Sequence, residues 1–340
     1  MADRHLNLEK AMKFMTRALG VCCTLVLFLG CQQSDPVAAP PQVTEASQGN
    51  EIPMPSSRPS ALITASELSE LLKSDSGRVR VLEPGCELAD FEKGHLPTAR
   101  FVHWVDDMTD PAHRSHYRHP DNIQFANLMT RLDVRASDHV VIYDRFSSRL
   151  STRLFWTLKH YAHGKVQVLD GGFEAWTEDL ETSADARELP DDPYQYKIGH
   201  TNDGVLARLH SVEQSINKPE TCLIDGRPRE QFTGEAVGKV FHTGEEHPRK
   251  GHIPGADNVV WEDNFDEDGK FKSVEALREL YNNAGVKANQ SVITYCNEGL
   301  HAAPAWFVLT QILELKRVKL YDDSMAEWAK TDNAMESVKE

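Results

Sequence analysis

Along the chain, short uncharged runs alternate with longer segments in which apolar residues recur every three or four positions. Residues 78–83, 138–143 and 165–169 are too short for helices and rich in β-branched side chains, so they predict buried strands. Helical periodicity covers 150–163 and 302–315. Pro304 is tolerated in the second of these because it falls in the first turn, where a missing N–H costs no hydrogen bond. Thr64-Ala65-Ser66-Glu67 opens a further helix with a capping box ahead of Leu68, Leu71 and Leu72. Strands alternating with helices predict the α/β class, a mainly parallel sheet with helices on both faces.

The pattern then repeats. Gly94-His95-Leu96-Pro97-Thr98-Ala99 returns as Gly251-His252-Ile253-Pro254-Gly255-Ala256. Val140-Val141-Ile142-Tyr143-Asp144 returns as Val292-Ile293-Thr294-Tyr295-Cys296, and Leu169 to Trp176 returns as Tyr321 to Trp328, both 152 residues later. A shared order and a shared offset indicate a tandem duplication. The copies are expected over 61–185 and 205–332, with 186–204 as a Pro- and Asp-bearing linker. Two domains also suit a chain of 340 residues.

The first 31 residues read as an address. Arg4, Lys10, Lys13 and Arg17 precede an uncharged run over 18–30, too short to span a bilayer comfortably but right for an export signal. Leu27-Phe28-Leu29-Gly30-Cys31 resembles a bacterial lipobox, with Phe28 where that motif prefers Leu. The resemblance implies lipidation at Cys31 and a periplasm-facing lipoprotein. Gln32 rather than Asp after the cysteine points, in that class, to the outer membrane. A plain membrane anchor or an ordinary signal peptide is the alternative. Residues 32–60, rich in Pro, Ser, Ala and Gln, predict a disordered tether. Membrane contact is expected only through the lipid.

Charge and cysteine count narrow the chemistry. Acidic residues outnumber Lys plus Arg by 52 to 37, for a net charge of −15, which argues against nucleic acid as a partner. Cys22, Cys23 and Cys31 lie near the start, and Cys86, Cys222 and Cys296 show no CxxC spacing, so neither a disulfide scaffold nor a structural zinc site is expected. Cys222 lies within a strand and reads as a buried apolar residue.

Cys296 is different. Thr294-Tyr295-Cys296-Asn297-Glu298-Gly299-Leu300-His301 runs off a strand into a helix, so backbone N–H groups and the helix dipole can favour its thiolate and lower its pKa. Gly299 supplies the freedom for the turn.

These residues resemble the rhodanese (sulfurtransferase) family in its tandem-domain form, across 61–332. The resemblance rests on the Gly251–Ala256 motif, the strand ending in Cys296, Tyr321-Asp322 with Glu327-Trp328, and Leu169 to Trp176. It implies that the second copy is catalytic and that the first, with Asp144 in place of the cysteine, is not. It also implies a persulfide on Cys296, made from a small anionic donor such as thiosulfate or 3-mercaptopyruvate and passed to cyanide or a thiol. No cofactor is called for. The loop residues Asn297, Glu298, Gly299, Leu300 and His301 are carried over as substrate-binding. Arg227, in an Asp-x-Arg pattern, is expected to reach the donor, with Arg249 and Lys250 behind it.

Two departures stand out. Glu298 places a carboxylate beside the nucleophile, where it would repel an anion and oppose thiolate formation. His301 stands where many relatives place Arg, and an imidazole of ordinary pKa is only partly charged at neutral pH. Arg149 keeps the cation at the matching position of the first copy. His95 and His252 recur in both copies and read as structural. A phosphatase of the same fold would need Arg six residues after the cysteine, where Ala302 stands. Two alternatives remain: a persulfide-carrying partner with little small-molecule turnover, and a metal-binding module built on His113, His116 and His119 with His103 nearby.

Overall fold

The computed structural model describes residues 51–75, 78–113, 118–181, 194–241 and 243–338. The segment expected to be an export signal and Cys31 lie outside the described residues, and no described helix is long and apolar enough to cross a membrane.

Ten strands form two parallel five-stranded sheets. The first holds β1 (Leu62–Ile63), β2 (Val79–Gly85), β3 (Arg100–His103), β4 (His139–Ile142) and β5 (Val166–Leu169), in the order β1-β5-β4-β2-β3. The second holds β6 (Leu206–Ala207), β7 (Thr221–Asp225), β8 (Ala256–Asn258), β9 (Ser291–Tyr295) and β10 (Val318–Tyr321), in the order β6-β10-β9-β7-β8. The permutation is the same in both, so the duplication is one of topology as well as sequence. The central strands β4 and β9 are buried along nearly their whole length, as a parallel sheet covered on both faces requires.

The capping box forms: Thr64 N donates to Glu67 Oε2 at 2.8 Å and Glu67 N to Thr64 Oγ1 at 3.3 Å. The helix Arg149–His160 matches its periodicity. Its counterpart does not run evenly from 302 to 315; it is an α-helix over Ala302–Phe307 and a π-helix over Val308–Ile312. Thr310 Oγ1 donates to Trp306 O at 2.7 Å, competing with the regular backbone bond to that carbonyl. The tether ends earlier than expected. Ile52 is fully buried, its N–H donates to Asn282 Oδ1 at 3.0 Å, and Glu51 and Arg58 pair with Arg278 and Glu67. One isoleucine with a socket is enough to pull residues from 51 onward onto the body.

The copies share one apolar core. It runs from Leu82, Phe125 and Trp156 of the first to Trp306, Phe307 and Leu320 of the second. Phe155 and Phe307, 152 positions apart, meet edge to face at 4.9 Å. Reciprocal hooks flank this contact. Asp170 Oδ1 accepts from Phe271 N at 3.0 Å, and the matching Asp322 Oδ2 accepts from His119 N at 2.9 Å. Each pair lies 152 residues from its twin, so the copies pack about a pseudo-two-fold axis.

The second hook also gathers cationic partners. Asp322 also meets His119 Nδ1 and Arg153 Nη2, each at 2.5 Å, with Arg153 and Asp322 wholly buried. Arg153 and His119 hold its carboxyl well below the usual carboxylate range. Asp322→Asn would leave the Arg153 guanidinium buried without a counter-charge, at a cost of about 3–5 kcal/mol. Urea unfolding of the variant should show that loss as a lower midpoint with an unchanged slope.

Candidate active site

The strand β9 delivers Cys296 to the start of the following helix. Its side chain is inside, with the residue 1% exposed. The backbone N–H groups of Glu298, His301 and Ala302 point to its sulfur. The first copy shows what such a cradle holds: Asp144 takes hydrogen bonds from Phe146 N at 2.7 Å, Ser148 N at 3.0 Å and Ser151 N at 2.6 Å. A carboxyl group occupies the position of the thiol; its N–H bonds favour the anion while burial, the larger effect, pushes its pKa up.

Burial nevertheless outweighs the cradle at Cys296. Desolvation pushes the thiol up to about 11, against the three N–H groups, and Glu298 adds to the rise. The expected lowering of its pKa is therefore reversed. Backbone dipoles act as the sequence suggests, but exclusion of water favours the neutral form more strongly.

The turn depends on two residues. Gly299 has φ +81°, and a Cβ there would lie 2.8 Å from Asp322 Oδ1 and 2.9 Å from Arg153 Nη1. Ser324 Oγ accepts from Cys296 N and Gly299 N, both at 3.1 Å, and donates to Tyr321 O at 2.6 Å. Sequence reasoning passed over Ser324. The signal was present, because the first copy has Gly172 at the matching position, where a Cβ would come within 2.5 Å of Asp144 O.

Arg227 is buried and pairs with Asp225, Nη2 to Oδ2 at 2.6 Å, while Nη2 also donates to Gly251 O at 2.9 Å. Its Nη1 faces Gly238, whose missing Cβ would lie 3.2 Å away, and its charge acts on Cys296. The other expected contacts have structural places. Arg249 donates to the carbonyls of Trp328, Ala329 and Asn333, and Lys250 to Glu235 O. The Asn297 amide joins His247 Nε2 at 3.0 Å to Gln231 Oε1 at 3.0 Å. Leu300 is packed into the shared core.

Glu298 and His301 both differ from their expected charge. Glu298 is 2% exposed; Oε1 accepts from Phe241 N at 3.0 Å and Oε2 is buried without a partner. Burial pushes its carboxyl up to about 7, so near neutrality much of it carries no charge to repel a donor. Burial and the nearby Arg149 push His301 down to about 3, so it is neutral. It stacks on Trp261 at 5.3 Å and meets Arg149 Nη1 through Nε2 at 3.1 Å.

Among the histidines, His95 and His252 repeat one arrangement. Their Nδ1 atoms lie 3.0 and 2.7 Å from the carbonyls of Phe91 and Phe232, and their rings stack on those phenylalanines. Of the three weighed for a metal, His113 and His119 face Asp323 and Asp322, and His116 lies outside the described residues. Among the described residues no cluster of three or more metal-ligating side chains forms.

A rhodanese-like domain matches residues 65–179 and again 209–331. The chain belongs to the rhodanese-like family, with two tandem domains. It is 31% identical over 274 residues to the sulfur carrier protein TtuD of Thermus thermophilus, covering 79% of this chain and 94% of that protein. It is 32% identical over 274 residues to the thiosulfate sulfurtransferase of Corynebacterium glutamicum, covering 79% and 88%. Among solved structures, SseA of Escherichia coli, described as a 3-mercaptopyruvate sulfotransferase, superposes with TM-score 0.66 at 26% identity, covering 78% of this chain and 98% of that one. The anaerobic ergothioneine biosynthesis enzyme of Chlorobium limicola shares the fold, with TM-score 0.73 at 18% identity and coverage of 82% and 70%.

Glu298 offers a clean electrostatic test. With a folded pKa near 7 against about 4.5 unfolded, the native state binds more protons between those values. Stability at this residue is therefore highest below pH 4.5 and falls as pH rises through 7. Glu298→Gln keeps an oxygen for the Phe241 N–H and removes the charge. Its melting temperature should equal that of the native protein near pH 4.5 and exceed it at pH 8, by a free energy on the order of 3 kcal/mol.

Proposed function

We propose that the protein is a sulfurtransferase that carries a sulfane sulfur as a persulfide on Cys296. The observation that carries this reading is a pair of backbone N–H cradles at equivalent strand ends, one around the Asp144 carboxyl and the other around the Cys296 sulfur, with Phe146 and Glu298 as the donor position common to both. Family membership and the named sulfurtransferases among the relatives support it.

The chemistry is double displacement. Deprotonated Cys296 attacks the outer sulfur of the donor. The bond from that sulfur to its former carrier breaks, and the carrier leaves with the electron pair, as sulfite from thiosulfate or as the enolate of pyruvate from 3-mercaptopyruvate. Cyanide or a thiolate then attacks the outer sulfur of the persulfide and Cys296 leaves as thiolate. The three N–H groups stabilise sulfur-centred charge at each stage, as an oxyanion hole stabilises oxygen-centred charge. Arg227 adds positive potential at the sulfur.

Thiosulfate or 3-mercaptopyruvate, offered with cyanide, should yield thiocyanate. Mass spectrometry after donor alone should show a gain of about 32 Da, one sulfur atom, on the Cys296 peptide. Cys296→Ser should lose both signals; an unchanged thiocyanate rate would overturn the reading. The relative named as a sulfur carrier supports a second reading, in which the persulfide is handed to a protein thiol. A stoichiometric gain of sulfur without turnover on cyanide would favour it.

We also infer export and lipidation at Cys31 from the charge-free segment and its lipobox-like end. Cells fed labelled palmitate should label the native protein and not Cys31→Ser.

A further inference from the structure

The first copy, which lacks the nucleophile, reaches into the site of the second. Arg149 opens the helix Arg149–His160. Its Nη1 lies 3.1 Å from Nε2 of His301, the residue 152 positions later, so the twin positions meet across the pseudo-two-fold axis. The N–H of the same His301 points to the Cys296 sulfur. The Arg149 guanidinium lies 4.4 Å from the ring centroid of Phe241 and 5.0 Å from that of Trp261. Phe241 is 39% exposed, and its backbone N–H is held by Glu298, the second residue after the nucleophile. These groups, drawn from both copies, cluster beside the Cys296 loop.

The charge balance of this cluster is unusual. A largely buried guanidinium is normally met by a carboxylate. Among the described residues Arg149 has no such ion pair. Its one hydrogen-bond partner is a neutral imidazole, and Nε is buried with no partner. Asp144, and after it Cys86, Glu262 and Glu298, act on it electrostatically without forming an ion pair with it. Aromatic faces lower the local dielectric and partly offset the cost of burying the cation. A planar fork with open donors in such a setting fits a sulfonate or carboxylate, which accepts two N–H bonds at once. By contrast, Arg227 already spans Asp225 and Gly251 O, and Arg249 is taken up by three carbonyls.

We propose that Arg149, a residue of the non-catalytic copy, binds the anionic group of the sulfur donor at the Cys296 site. The inference deepens the sulfurtransferase reading and rests on it for the identity of the ligand. The first domain then supplies half of the donor site, and the interface between the copies is part of that site.

Two arms test this with thiosulfate as the probe. In the otherwise native protein, Arg149→Gln should raise the KM for thiosulfate by about tenfold or more with a smaller change in kcat, and Arg149→Lys should recover part of the loss. Melting temperatures of both variants report any structural damage, and if Arg149→Gln does not fold, Arg149→Lys carries the comparison of KM with kcat. A KM for Arg149→Gln within about twofold of native, or a lysine variant no better than glutamine at equal melting temperature, would overturn the proposal. The second arm needs no turnover: calorimetric binding of thiosulfate to Cys296→Ala protein should be lost when Arg149→Gln is added. Equal affinity with and without Arg149, or no binding to either protein, would overturn it. Binding that depends on Arg149 in a protein that forms neither persulfide nor thiocyanate would uphold this inference and sink the sulfurtransferase reading.

Discussion

At the carboxyl end of the central strand of each sheet, three backbone N–H groups converge on one side-chain atom or group. Everything that matters in the molecule is arranged around that convergence. In the first copy it holds the Asp144 carboxyl, fully buried and filled from within the chain, with burial pushing that group towards its neutral form against the N–H bonds. In the second it surrounds the Cys296 sulfur, the atom that the proposed function has change its covalent partner. The same local backbone therefore serves two purposes, and the side chain at one position decides which.

The opposing force is exclusion of water. Burial keeps the Cys296 thiol protonated, makes Glu298 half neutral near pH 7 and discharges His301. Each of these groups stands in the same small volume, so one feature of packing sets all three. A site of this kind is quiet at rest. Its dipoles are in place before charge arrives, which is the arrangement that stabilises a developing anion without reorganisation. The buried His119–Asp322–Arg153 set locks the domains together beside the loop, with Gly299 lying against Asp322 and Arg153 too closely for any side chain.

Much of this was legible in the sequence. The 152-residue offset gave the duplication and the alternation of strands with helices gave the sheet class, because a fold repeated twice leaves two aligned patterns of strand, turn and helix. The place of Cys296 between a strand and a helix was also legible, though its effect on the thiol was not. What could not be read was the effect of the third dimension on charge. No local pattern tells that Glu298 and His301 turn inward, or that Arg249 reaches the carbonyls of a distant helix end. Arg149 was visible as an oddity, a cation kept in the copy without a nucleophile, yet its place opposite His301 depends on the axis between the domains. Ile52 was missed for the reverse reason: composition marks 32–60 as a tether, and one buried side chain outweighs composition.

The most direct measurement is the titration of the Cys296 thiol in the free protein, read from the pH dependence of its alkylation rate or its thiolate absorbance. A neutral, water-excluded thiol in a waiting cradle should give a midpoint near 11. A midpoint at or below the ordinary cysteine value of about 8.5 would contradict it, and would mean that the N–H groups, rather than burial, set the resting state.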